Sequence, residues 1–348
     1  MGESRLNQDS FYSFIKHIPK AEIHLHIEAV PSLSTIEKLY KNRFGTVMSK
    51  SELTSLFSYS DLNGFIKAFL QIQDMFQSVA DFDLVFSDFS DYLENNNIPY
   101  CEAFFAPTAF IKKGFSYGDM VQNFSRNIAK IKKETGRTIK LLVDVSRTFG
   151  PENAMANYML LQQYPCKDVI GIGLGGAEQK GPAKEFAEVF EKAHKDGFHA
   201  VAHAGEDVGP ESIWDSIRFL HSERIGHGIT AVQDPKLIQY LHDTQLPLEV
   251  CITSNVFTKK FVKNTEDHPI RELFDKGLLV TVNTDDPVFF KTNLTQEYWL
   301  LYSKLHFTLD QIKILIDNSF KASFLADTQR KKYLAAADTA WKEYCPKD

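Results

Sequence analysis

The sequence predicts an α/β protein folded as a (β/α)8 TIM barrel with extra helices inserted after strand 1. Three observations predict it. Apolar, β-prone segments alternate with helical patterns, as in parallel strands joined by crossover helices. Eight such segments fit into 348 residues, which suits a closed barrel better than an open sheet. Polar and titratable residues recur at the carboxyl ends of those segments, where a barrel collects its reactive groups. No linker rich in Pro, Gly or Ser, no low-complexity tract and no internal repeat divides the chain. Residues 1–348 are therefore expected to form a single domain.

Taken in order, residues 8–18 read as a short amphipathic helix ending before Pro19. The first strand begins at Ala21 and carries His24 and His26. Residues 32–47 and 50–79 read as the inserted helices. The second of these has Leu56, Phe57, Phe65, Phe69 and Leu70 at helical spacing. Core packing explains that pattern, and an apolar lid over a pocket is its functional alternative. From there each helix leads into a strand: 81–96 into 100–105, 117–134 into 139–145, 151–163 into 169–174, and 183–196 into 200–203. The series continues with 210–221 into 224–227, 235–243 into 247–252, and 269–276 into 278–285.

Hydrophobic residues make up 43% of the chain and charged residues 24%, ordinary for a soluble globular protein. Phe is abundant, with 28 copies, so the core is aromatic-rich. The net charge of −6 argues against nucleic acid or an acidic membrane surface as the main partner. Four cysteines, Cys101, Cys166, Cys251 and Cys345, lie far apart without a CxxC pair. That pattern supports neither a disulfide framework nor a cysteine zinc site, and it suits a reducing compartment. The N-terminus has no apolar signal region, and Leu6 stands where myristoylation wants Ser or Thr. No apolar run reaches membrane-spanning length. A cytoplasmic protein acting on a small molecule is expected, with its oligomeric state left open.

The strand ends carry the chemistry. Residues i and i+2 of a strand share a face, so His24 and His26 project side by side, with Glu28 on that face or in the loop beyond. Strand four ends in Gly173-Leu174-Gly175-Gly176, strand five in His203-Ala204-Gly205-Glu206, and strand six in Gly226-His227-Gly228. Strand seven ends in Thr253-Ser254-Asn255 and strand eight in Asn283-Thr284-Asp285-Asp286. Three neutral imidazoles and one carboxylate suit Zn2+. His24, His26, His203 and Asp285 could hold one such ion and leave room for a water, whose pKa zinc lowers from ~15.7 toward ~7. Glu206, three residues past His203, can protonate a reacting atom without being a ligand. His227 can act on the same water as base or orienting cation. Asp286 is a free carboxylate beside a ligand and can bind substrate.

Singly, each of these residues has an ordinary explanation: a hydrogen-bonded core histidine, a turn glycine, a helix-capping Asp. Their joint placement at one end of strands one, five, six and eight is what supports the reading. His17, His194, His199, His221, His242, His268 and His306 lack such positions and are expected to be structural or superficial. Gly171, Gly173 and Gly176 match GxGxxG and offer a different class of function, a nicotinamide-dependent oxidoreductase. The motif should open a helix at once, whereas Gln179-Lys180-Gly181-Pro182 intervene. These glycines are better used for close backbone approach to a flat ligand.

With these residues in view, the chain resembles the adenosine deaminases and their relatives among the metal-dependent amidohydrolases. The resemblance runs through Pro19-Lys20-Ala21-Glu22-Ile23-His24-Leu25-His26, Gly173 to Glu178, His203 to Glu206, Arg224 to Gly228, Thr253 to Asn255 and Asn283 to Pro287. It spans almost the whole chain. It implies a (β/α)8 barrel with one zinc on His24, His26, His203 and Asp285. It implies that hydroxide generated at zinc adds to C6 of a 6-aminopurine while Glu206 protonates N1. His227 would orient that hydroxide, Asp286 would hold N7, the backbone at Gly176 would contact N3, and Glu28 would contact the ribose. The implied reaction converts adenosine or deoxyadenosine to the corresponding inosine plus ammonia. An aminodeoxyfutalosine deaminase of menaquinone synthesis is the alternative, followed by an adenine deaminase, although adenine deaminases resemble one another in having Ser-Ser where Gly175 and Gly176 stand. The chain departs from the family at Ala29, where Gly is usual, and at Ile252, where Pro is usual. Ala29 alters the loop that shapes the sugar end of the pocket.

Overall fold

The computed structural model describes residues 6–59 and 62–346, with the side chains of residues 62 and 63 left out. Eight strands form one parallel sheet in sequence order. They are β1 (Ala21–His26), β2 (Tyr100–Phe105), β3 (Thr138–Asp144) and β4 (Val169–Leu174). The series closes with β5 (His199–Ala204), β6 (Arg224–His227), β7 (Leu248–Val250) and β8 (Val280–Val282). Consecutive order in a parallel sheet with helices between the strands is the (β/α)8 TIM barrel that the alternation predicts.

The seam between β8 and β1 closes at its carboxyl end. The Asp285 N–H donates to the His24 carbonyl at 3.1 Å and the His26 N–H to the Asp285 carbonyl at 2.9 Å. Below it, the Ile23 N–H finds the Asn283 side-chain oxygen at 3.0 Å. An amide side chain thus replaces a backbone acceptor, because β8 is only three residues long. The seam ties both ends of the candidate site together.

Between strands the helices follow the predicted pattern, with differences at two places. Residues 50–79 split into two helices, Lys50–Leu56 and Leu62–Met75, and residues 60–61 lie outside the described residues. Phe65 and Phe69 of the second helix pack on Phe289 at 5.4 and 5.3 Å between ring centroids. Its apolar face therefore rests on the segment that directly follows Asp286. Thr253, Ser254 and Asn255, expected at the end of strand seven, begin a helix at Ile252–Thr258 instead. Strand pairing ends at Val250, and turning into a helix aims Ser254 and Asn255 inward, where both are fully buried. Three helices, Leu294–Ser303, Leu309–Ala322 and Asp327–Tyr344, complete the chain.

The main apolar core lies between strands and helices. A separate small cluster of Phe104, Leu142 and Val201 fills the barrel interior. Phe104 packs against His24 and His203 at 4.9 and 5.2 Å. The floor of the site is thus an aromatic ring, which keeps the histidines above it away from water.

Just before β1, Lys20 is fully buried and its ammonium donates to the Ile15 and Ile18 carbonyls at 2.9 and 2.8 Å. Burial pushes its pKa down to about 7. Between pH 7 and its unfolded value near ~10.4 the unfolded chain holds a proton the folded chain has released. Stability owed to Lys20 therefore increases as pH rises through that window and is lost as pH falls through 7. Denaturant titrations of wild type and Lys20→Met should show the difference moving in favour of wild type by up to about 4 kcal/mol across that range. A difference independent of pH would show that Lys20 keeps its proton throughout.

Candidate metal and catalytic centre

At the carboxyl end of the barrel, β1, β5, β6 and the residues after β8 deliver four histidines and an aspartate to one spot. His24 Nε2 and His26 Nε2 stand 3.5 and 3.2 Å from the same Asp285 oxygen. His26 Nε2 is also 3.2 Å from His203 Nε2. The rings of His203 and His227 are 5.3 Å apart, and those of His24 and His227 5.0 Å. Donor atoms of His24, His203, His227 and Asp285 all lie within 4.8 Å of one another. All the residues that sequence pattern assigned to metal binding are therefore gathered, and His227 joins them.

Backbone geometry makes this convergence possible. His227 and Asp285 adopt left-handed conformations, φ 61° and 65°, which turn their side chains back over the barrel axis. Such strain in non-glycine residues persists only where surrounding structure enforces it. Gly226 leaves the space that the His24 ring occupies, since a Cβ there would sit 2.8 Å from His24 Cε1.

The donor set fits a metal. His24 Nε2 and His227 Nε2 are buried nitrogens without a hydrogen-bond partner among the described residues. Buried polar atoms are normally satisfied, so unpaired nitrogens converging beside a carboxylate point to a missing ligand. Nitrogen and carboxylate donors suit a zinc-like divalent ion.

Supporting groups hold the donors in place. Asp285 accepts from Ser254 Oγ at 2.7 Å through its second oxygen. Hydrogen bonds from His24 and His26 outweigh burial and hold the Asp285 carboxyl well below the usual range. His24 Nδ1 meets Glu249 Oε2 at 2.7 Å. Glu249 Oε1 takes Arg224 Nε at 2.5 Å, and Arg224 reaches Glu102 at 2.6 Å. This chain of charges is wholly buried. It fixes the proton of His24 on Nδ1 and leaves Nε2 bare toward the cluster. Replacing Glu249 by Gln should weaken metal binding by roughly 10–100-fold, measured by competition with a chelator. Unchanged affinity would reduce this chain to a packing role.

Glu206 faces the cluster with Oε2 3.4 Å from His227 Nε2. Burial, followed by the charges of Asp285 and Asp207, pushes its pKa well above the usual carboxylate range. Its loop is clamped by Glu178, whose carboxylate accepts the N–H groups of Gly205, Glu206, Asp207 and Val208 at 2.6–3.2 Å and the Ser212 hydroxyl. Asp286 is buried beside Asp285, and burial and that neighbour push its pKa up. Glu28 sits in a single turn after β1, accepts the Ala106 N–H at 2.7 Å through Oε1, and keeps a buried, unpartnered Oε2. Burial raises its pKa to about 7, with His26 opposing.

Gly175 and Gly176 each have a protein side chain where a Cβ would stand. A Cβ at Gly175 would collide with the Asp144 carboxylate, and one at Gly176 with the Thr148 hydroxyl. Asp144 binds the Gly175 N–H at 3.0 Å and the Ser146 N–H at 2.6 Å, tying β3 to β4. Gly176 itself is exposed at the rim. No helix starts at these glycines; a short 3-10 turn begins only at Ala183.

Pattern reading missed Glu249, Asp144 and Glu178, and it set His268 aside. The available signal for Glu249 was a charged residue inside the short apolar run of β7. His268 carried no local signal, because its partner Asn255 meets it only in the fold, at 3.2 Å.

Comparison with known proteins agrees with this architecture. The family model described as adenosine deaminase matches residues 19–340. The chain is 34% identical over 330 residues to an adenine deaminase from Psychrobacter cryohalolentis, covering 94% of this chain and 98% of the relative. It is 32% identical over 337 residues to an aminodeoxyfutalosine deaminase from Streptomyces avermitilis, covering 95% and 94%. The crystal structure of an adenine deaminase from Arthrobacter aurescens superposes with a TM-score of 0.88 at 28% identity, covering 94% of this chain and 99% of that one. The chain belongs to the adenosine deaminase family and is a metal-dependent deaminase, a hydrolase acting on C–N bonds.

Proposed function

We propose that the protein is a zinc enzyme that hydrolytically removes the amino group at C6 of a 6-aminopurine, with the nucleosides adenosine and deoxyadenosine as its leading substrates. One observation carries the reading: a buried cluster of unpartnered imidazole nitrogens and an aspartate, faced by a carboxyl group whose pKa burial pushes well above the usual range. His24, His26, His203 and Asp285 would hold a single zinc, which supplies a water activated at neutral pH.

The chain's own residues do the rest. Glu206 gives its proton to N1 of the purine, drawing electron density from C6 as water adds there. His227 holds the attacking water through Nε2. The C6–N bond then breaks, the amine leaves as ammonia with one proton from that water, the other water proton restores Glu206, and the product keeps a 6-oxo group and the proton on N1. Asp286 anchors N7; because N7 is an acceptor, the carboxyl must bear the proton of that hydrogen bond. The backbone at Gly176 lies at the rim, where N3 would approach. The packed aromatic floor excludes bulk water from the reacting face.

Glu28 is proposed to choose the substrate. Its buried Oε2 has no donor among the described residues and is open to one from substrate. A ribose hydroxyl can do so, and so can the ring N–H of free adenine. The names of the relatives favour adenine as a second reading, at 34% identity, and aminodeoxyfutalosine as a third, at 32%.

Ammonia release from adenosine, deoxyadenosine, adenine and aminodeoxyfutalosine tests the proposal on zinc-loaded protein. Turnover of at least one is expected. Release from none overturns the reaction, and release from adenine alone overturns the nucleoside assignment. On the preferred substrate, Glu28→Ala should raise KM with zinc content unchanged, by roughly 10–100-fold for one lost buried hydrogen bond to a charged group.

A further inference from the structure

We propose that a buried hydrogen-bond relay from the Ile270 N–H through His268 and Asn255 fixes His227 as the Nε2–H tautomer, so that His227 presents a donor to the cluster and is not one of its ligands. This deepens the proposed function and rests on its metal site.

One end of the relay has a polarity beyond choice. The backbone N–H of Ile270 donates to His268 Nδ1 at 3.1 Å. A backbone N–H is only a donor, so His268 Nδ1 carries a lone pair and the proton of the neutral ring is on Nε2. His268 is 3% exposed, and burial pushes its pKa down to about 3, so the ring is neutral at physiological pH. Its Nε2 faces Asn255 Oδ1 at 3.2 Å. This orientation of the amide is forced, because the flipped form would set N–H2 against N–H. Asn255 Nδ2 therefore faces His227, 3.1 Å from Nδ1. A donor there requires a lone pair on His227 Nδ1, and the proton of His227 is left on Nε2.

The end of the relay is the catalytic cluster. His227 Nε2 has no hydrogen-bond partner among the described residues and stands 3.4 Å from Glu206 Oε2. A nitrogen bearing hydrogen cannot coordinate a metal, but it can hold a water oxygen. Distance alone admits His227 to the donor group, and proton bookkeeping removes it. His26 Nε2, 3.2 Å from both Asp285 and His203, takes the vacated place. His268 and Asn255 are thus positioning residues. They lie outside the substrate pocket and act by choosing which nitrogen His227 offers. Asn255 and His227 are 0% and 1% exposed, which keeps water from supplying alternative partners.

The test is a tautomer measurement on the zinc-loaded full chain labelled with 15N in its histidines. Long-range proton–nitrogen NMR separates Nδ1–H from Nε2–H rings, and the His227→Gln spectrum identifies the signal. Wild type should show His227 protonated at Nε2. Asn255→Asp, nearly isosteric but acceptor-only, should move that proton to Nδ1 and lower kcat by roughly 10–100-fold with little change in KM. His268→Gln, whose amide can still donate to Asn255, should keep the wild-type tautomer, whereas His268→Phe should lose it. An Nδ1–H signal in wild type overturns the relay, as does an Asn255→Asp spectrum with the proton unmoved. The NMR readout needs no substrate. A protein that deaminates none of the purines but shows the predicted tautomers would sink the proposed function and leave the relay standing.

Discussion

Glu206→Gln should lose about 10²–10⁴-fold in kcat while binding metal and folding as the wild type does. Its side chain stands 3.4 Å from His227 Nε2, and Gln keeps its shape. The loop that carries it is held by Glu178 through backbone amides, which the substitution leaves alone. What Gln removes is the transferable proton. In the proposed reaction N1 of the purine must gain that proton for C6 to become electrophilic, and Asp285, the other carboxyl in the cluster, is held below the usual range and has no proton to give. A loss of this size corresponds to about 3–5 kcal/mol of transition-state stabilisation. It should fall on kcat more than KM, because the proton moves in the transition state. Steady-state kinetics with metal analysis and a thermal melt on the same sample check it. Normal turnover would remove Glu206 from the role of acid.

His203→Ala should lose the metal, and the comparison of His26→Ala with His227→Gln should then separate the two possible ligand sets. His203 and Asp285 belong to both. The mutual distances favour His24, His203, His227 and Asp285. The hydrogen-bond polarity of the Asn255 relay favours His24, His26, His203 and Asp285. We expect elemental analysis after dialysis to find His203→Ala and His26→Ala depleted and His227→Gln loaded. Removing one imidazole from a site built with four protein donors also opens a gap in the buried cluster that no other described side chain fills. Full occupancy in His203→Ala would strike it from the ligand set. Depletion in His227→Gln with retention in His26→Ala would reverse the assignment.

Much of this protein is written locally. Period-two and period-3.6 patterns placed β4 and β6 at the bounds the structure has, Val169–Leu174 and Arg224–His227. Strand alternation fixes which residues share a face, so His24 and His26 were legible as a pair, and the polar strand ends marked the mouth of the barrel. The expectation for residues 50–79 was right in type and wrong in continuity, because Phe57 and Tyr59 are recruited by Phe289 on the far side of the fold. For Gly175 and Gly176 sequence showed the need for small residues, but the reason, Asp144 and Thr148 behind them, came from another strand and its loop.

The sequence by itself determined the barrel, the end of it that reacts and the residue types gathered there, since each depends on local periodicity and chain order. The tertiary structure decided what each residue does. Glu249 is an unremarkable strand residue until Arg224 and His24 close on it. His268 is one of seven histidines with no pattern until Asn255 links it to His227. Those contacts join residues separated by tens to hundreds of positions. Their physical content is the location of single protons in a dry interior, which no local pattern encodes.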